Sequence, residues 1–168
     1  METIFRKASP DDVDGIMPVI DYARNKMLSE GKKQWDTAYP LREHISADIG
    51  GGNGYVLCHG TEIIAYGAIF NGEPAYADIQ GKWPGGDCRF IVLHRLAVAA
   101  CARRHGMATR FFHHAVQLAQ RQGIHSFRVD TNFDNAAMLS LLDKLGFTHC
   151  GEVHYAPGKT RMAYEKLL

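Results

Sequence analysis

No run in this chain is long and apolar enough to span a bilayer, and Met1-Glu2-Thr3-Ile4-Phe5-Arg6-Lys7 lacks the apolar core of a secretory signal. No membrane partner is expected, and the chain reads as cytoplasmic. Cysteine is scarce as well. Cys58, Cys88, Cys101 and Cys150 are widely spaced with no C-x-x-C pair, which argues against a disulfide framework or structural zinc and makes reduced thiols the expectation. Nor is there an excess of one charge: 19 Lys and Arg against 18 Asp and Glu leave a formal net charge of +1, so nothing electrostatic points to nucleic acid. His113-His114 invites a metal hypothesis, but adjacent helical residues point in different directions and no acidic ligand cluster accompanies them; no metal is expected.

No internal repeat, linker or low-complexity tail divides the chain, so residues 1–168 are read as a single domain. The 46% hydrophobic and 22% charged content is that of an ordinary globular protein with a sizeable core. Ile4 to Lys7 suits a short strand. Ser9-Pro10-Asp11-Asp12 then supplies an N-cap, a proline for the first helical position and acids for the first turn, so a helix is expected from there to Ser29–Gly31. A second helix is expected over Pro40 to Ile49. Tyr55 to His59 and Glu62 to Phe70 form a hairpin about Gly60-Thr61. The glycine-rich stretch 50–54 precedes a strand, not a helix, and reads as a turn.

Asn71 to Asp87, with two prolines and Trp83 but no sustained period, is expected to be a loop. Strands over Phe90 to Val98, Ser126 to Thr131, Phe147 to Tyr155 and Arg161 to Leu167 alternate with helices over Met107 to Gln122 and Asn135 to Leu145. The order is β-α-α-β-β-β-α-β-α-β-β, an α+β fold.

Between Val98 and Met107 lies the most informative segment, Arg103-Arg104-His105-Gly106-Met107-Ala108. A strand feeding a glycine turn that opens a helix makes an anion trap, because the first helical amides have no partner within the helix. Gly106 permits close backbone approach, and Arg103 and Arg104 add positive charge.

The spacing R-x-x-G-x-A resembles the coenzyme A signature of the GNAT superfamily of N-acyltransferases. The resemblance continues through His94-Arg95-Leu96-Ala97-Val98, Asn135-Ala136-Ala137-Met138 and Leu145-Gly146-Phe147, in the family's order and at its separations. It implies a GNAT fold over nearly the whole chain, a mixed central sheet with a splayed strand pair holding acetyl-coenzyme A. It further implies an N-acetyltransferase that moves an acetyl group to a primary amine of a small molecule, amino acid derivative or peptide N-terminus by direct attack in a ternary complex, and a homodimer.

On this resemblance the pyrophosphate rests on Arg103, Arg104, His105, Gly106, Met107 and Ala108, with Thr109 adding a hydroxyl. The pantetheine arm pairs with the backbone of Leu96, Ala97 and Val98 and touches Asn135, which has a second use as a helix cap. Many family members carry a tyrosine in an L-Y-x-x-x-G-F pattern, but this chain reads Leu141-Leu142-Asp143-Lys144-Leu145-Gly146-Phe147, so with Leu142 in its place that general acid is absent or supplied elsewhere.

His94 is the candidate base, placed by strand alternation on the side of Leu96 and Val98; the competing reading is a histidine bonded to backbone beside the core. Tyr155 is the candidate acid, with Tyr164 behind it, and each has a packing role as its alternative. Cys101 reads as a passive loop thiol. Trp35 and Trp83 either line an acceptor pocket or anchor their loops on the core. No run of acids marks the acceptor as a polyamine. Two other functions fit the same motifs: a coenzyme A-binding sensor or interaction module with impaired turnover, suggested by Leu142, and a transferase of a larger acyl group.

Overall fold

The computed structural model describes all residues, 1–168. Four helices and eight strands follow the order expected, with one addition. The strands are β1 (Ile4–Lys7), β2 (Gly54–His59), β3 (Glu62–Phe70), β4 (Gln80–Gly81), β5 (Ile91–Val98), β6 (Ser126–Thr131), β7 (Thr148–His154) and β8 (Thr160–Leu167). The helices are α1 (Val13–Ser29), α2 (Arg42–Gly50), α3 (Met107–Arg121) and α4 (Ala136–Lys144). The strands form one mostly antiparallel sheet in the order β1-β2-β3-β5-β6-β8-β7-β4, in which β5 and β6 run parallel. No helix is long and apolar enough to cross a membrane.

Two compact units make up the chain: Met1–Ile69 with Leu93–His114, and Phe70–Val92 with Ala115–Leu168. In the first, β1 and β2 pair in register from Ile4↔Cys58 to Lys7↔Tyr55, and the β2–β3 hairpin turns at Gly60, whose φ of 58° suits a residue without Cβ. The start of α1 is set by Ser9, whose amide donates to Asp12 Oδ2 at 2.7 Å, while Arg6 grips both oxygens of the same carboxylate. A 3₁₀ turn over Pro10–Asp12 precedes the α-helix proper. Ile16 and Ile20 of α1 and Ile45 of α2 are fully buried, the apolar face that the spacing implies. Gly67 of β3 lies so close to Phe111 and Leu93 that any Cβ would collide with them.

In the second unit, β6 pairs with β8 from Ser126↔Leu167 to Thr131↔Met162, and β8 pairs with β7. The segment 71–87 is more ordered than a loop: it contains a 3₁₀ turn, Pro74–Asp78, and strand β4, which pairs with β7 through Gln80↔Glu152 and Gly81↔Gly151. A Cβ on Gly81 would run into Cys150 O, and one on Gly151 into Gln80 O, so this pairing requires glycine on both strands. Tyr76, Trp83, Val92, Val153 and Ala163 form a buried cluster around it.

Candidate active site

In the first unit, β5 leads into the turn and α3. Its backbone departs from strand geometry at Arg95, whose φ is 56°, in the left-handed region that residues with side chains rarely occupy. The Arg95 guanidinium folds onto the buried Asp48 of α2, with Nε 2.8 Å from Oδ2 and a terminal nitrogen 2.5 Å from Oδ1, and donates a third bond to Tyr39 Oη at 2.8 Å. Tyr66 Oη donates to Asp48 Oδ2 at 2.7 Å. Burial works against the Arg95 charge, but its bonds to Asp48 and Tyr39 outweigh this and raise its pKa. Burial, reinforced by the Asp48 charge, lifts the Tyr66 hydroxyl well above the usual tyrosine range.

Beyond Val98, Ala99 N donates to Ile64 O at 2.8 Å, and a short 3₁₀ turn spans Ala100–Ala102. Arg104 and Gly106 then take positive φ, 61° and 72°, and nothing lies within 4 Å of where a Gly106 Cβ would stand. The first bond of the α3 ladder is Arg110 N to Gly106 O at 2.9 Å, so the amides of Met107, Ala108 and Thr109 precede the ladder. Arg103, Arg104, His105 and Gly106 are exposed around them. Of the cofactor residues expected from sequence, Leu96, Ala97, Val98 and Arg103 to Thr109 thus share one continuous strand–turn–helix. Met107 differs in that its side chain is buried in the core, leaving only its backbone to face a ligand.

His94 is half-buried. The alternation used to place it beside Leu96 and Val98 cannot be counted through Arg95, because a positive φ breaks the period of two. Trp35 is buried at 4% exposure, so it anchors its segment and does not offer the exposed ring that an acceptor pocket would use. Cys101 is exposed, its Sγ 3.8 Å from Glu62 Oε1.

In the second unit, Tyr155 is part of a cluster that the sequence did not reveal. Its hydroxyl donates to Asp130 Oδ2 at 2.5 Å, and the buried Tyr76 donates to the same oxygen at 2.6 Å. Burial and the neighbouring carboxylate push both tyrosine hydroxyls well above their usual range. The available signal was Asp130 itself, a lone acid within the strand-forming run Ser126 to Thr131.

Trp83 is buried beside this cluster: its Nε1 donates to Tyr76 O at 3.0 Å, and its ring lies 4.5 Å from the Arg128 guanidinium. It holds the 71–87 segment and is not an exposed pocket wall. Asn135 caps α4, its Oδ1 accepting from Met138 N at 3.3 Å. Leu142 is fully buried. No group of three or more His, Cys, Asp or Glu is placed to hold a metal ion.

The mixed α+β sheet, in which one strand passes through a positive-φ residue into a positive-φ turn and a helix N-terminus, has the acetyltransferase class of fold. Within that class the chain belongs to the acetyltransferase (GNAT) family, whose model matches residues 20–147. Among solved structures it resembles a GNAT-family acetyltransferase from Streptococcus agalactiae, with 32% identity, a TM-score of 0.88, and 99% of this chain and 95% of that one covered. A GNAT-family acetyltransferase from Listeria monocytogenes shares the fold at 17% identity and a TM-score of 0.79, covering 100% and 96%. The ribosomal-protein-S18-alanine N-acetyltransferase from Escherichia coli does so at 12% identity and 0.66, covering 98% and 91%. No curated protein matches the chain.

Proposed function

We propose that this chain is an acetyl-coenzyme A-dependent N-acetyltransferase acting on a primary amine. The observation that carries the reading is the Arg104–Gly106 turn, where two positive-φ residues open a helix whose first amides precede its hydrogen-bond ladder. A pyrophosphate fits there: the space above Gly106 is open, the helix dipole favours an anion, and Arg103 and Arg104 flank the same exposed turn. The backbone of Leu96 to Val98 is assigned to the pantetheine amides. The Ala97 or Val98 amide is assigned to the oxyanion formed when the amine attacks the thioester, worth roughly 3 kcal/mol for one fixed donor.

For proton transfer, His94 is the assigned base on its imidazole chemistry and its place in β5 next to the Arg95 kink, no longer on strand alternation. Tyr155 is less suited to acid catalysis than its sequence position implied, because giving up its proton beside Asp130 would place two negative charges together. Its donated bond instead orients Asp130. A second reading, a coenzyme A-binding module without turnover, is favoured only by the buried Leu142 at the tyrosine position.

Isothermal titration with acetyl-coenzyme A, followed by thiol release across an amine panel, separates these readings. Binding with amine-dependent release supports the enzyme, binding without release supports the module, and no binding by folded protein refutes both. His94→Ala should lower turnover and remove the acidic limb of the pH–rate profile with cofactor affinity retained; unchanged turnover would assign His94 to structure.

A further inference from the structure

The positive-φ kink in β5 occurs at a residue poorly suited to it. A glycine reaches φ of 56° freely, whereas an arginine there must be held by its surroundings. The holding group is Asp48, which receives two of the guanidinium's bonds at 2.8 and 2.5 Å and is itself fixed by Tyr66 Oη at 2.7 Å. A two-pronged arginine–carboxylate contact sets orientation as well as distance. At 4% exposure, Asp48 has little freedom to follow Arg95 if the strand moves.

The third bond from Arg95 goes to Tyr39, in the segment joining α1 to α2. That segment is braced in turn: Asp36 N donates to Tyr39 O at 3.0 Å, Arg24 donates to Pro40 O at 2.6 Å, and the Tyr39 ring meets His44 edge-on at 4.9 Å. The residue immediately before Leu96 is therefore clasped by α2 and by the segment preceding it.

We propose that Asp48 and Tyr39 are positioning residues for acyl transfer: through Arg95 they hold the positive-φ kink of β5 and so aim the Leu96 to Val98 amides at the acyl carbonyl. The proposal rests on the N-acetyltransferase reading above. It goes further by assigning catalytic geometry to residues that need touch neither substrate nor cofactor. It separates two properties that a merely structural clasp would not: the rate of transfer depends on it, while the pyrophosphate turn at 103–108 keeps its affinity.

The test compares Asp48→Asn/Arg95→Gly with Asp48→Asn/Arg95→Val. Both remove the same charges and guanidinium, and they differ in that glycine accepts positive φ and a β-branched residue resists it. The glycine pair should keep a kcat at least about tenfold above the valine pair, with acetyl-coenzyme A affinity equal within about twofold. Equal kcat values would overturn the proposal. If the valine pair does not fold, Tyr39→Phe supplies the comparison: a lowered kcat at unchanged cofactor affinity supports the proposal, and wild-type kinetics refute it.

A readout independent of turnover is the backbone amide shifts of Leu96 to Val98 in ¹⁵N-labelled protein. They should be retained in the glycine pair, and displaced in the valine pair or, where that pair does not fold, in Tyr39→Phe; shifts unmoved in the variant compared would overturn the proposal. Wild-type protein that releases no coenzyme A with any amine would refute the acetyltransferase reading, while these shifts still report whether the clasp aims the strand.

Discussion

Replacing Arg104 with glycine should loosen a function while relieving the fold. Arg104 holds φ of 61° on an exposed turn, a conformation that costs a residue with Cβ about 1–2 kcal/mol. Glycine removes that strain but makes the unfolded chain more disordered, at a cost of roughly 0.5–1 kcal/mol. The net effect on stability is between nothing and a gain of about 1.5 kcal/mol. Binding should move the other way. A guanidinium bonded to a phosphate contributes about 1.5–3 kcal/mol, so acetyl-coenzyme A affinity should fall by roughly 10- to 100-fold. Urea denaturation and isothermal titration on the same preparation measure both. A loss of stability above about 1 kcal/mol would refute the strain argument, and an unchanged Kd would refute the placement of the pyrophosphate.

Other consequences can be measured independently. Arg128→Met should destabilise by about 3–5 kcal/mol, because Glu165, whose side chain is fully buried, loses its cation; Arg128→Met/Glu165→Gln should recover part of this in urea titrations. Arg6, through its hydrogen bonds, holds the Asp12 carboxyl down at about 2, against burial and with help from the Ser9 amide. Because the folded pKa is depressed, the associated stabilisation is complete above the ordinary value near 3.8 and drains away as pH falls toward 2. Arg6 is 44% exposed, so solvent screening reduces this to about 1 kcal/mol, and Asp12→Asn should flatten acid unfolding in that window. Leu142→Tyr should destabilise by about 1–3 kcal/mol through overpacking, with no gain in turnover, since position 142 faces the core and not a ligand.

The features visible in the sequence were those set by local pattern. Ser9-Pro10-Asp11-Asp12 announces the start of α1, and the strand, glycine turn and amphipathic run from Phe90 to Gln122 announce the positive-φ turn that opens α3. Strand β4 escaped because two residues, Gln80 and Gly81, are too few to show a period, and its pairing depends on Gly151, far along the chain. The kink at Arg95 escaped because an arginine gives no local warning of positive φ; its partner, Asp48, lies on α2, far along the chain. Asp130 stood out only as a lone acid in a strand-forming run, and its partners were not legible, since Tyr76 and Tyr155 reach it only once the second unit has folded. Trp35 and Trp83 show the limit of composition: aromatics in irregular segments can line a pocket or plug a core, and here they are buried.

The most direct test mixes wild-type protein, acetyl-coenzyme A and a library of primary amines, and follows free thiol together with the mass of each amine. An acetyl gain on particular amines, matched one-for-one by released coenzyme A and abolished by Gly106→Trp at the open face of the turn, is the predicted result. Folded protein that neither binds acetyl-coenzyme A nor acetylates any amine would contradict the account.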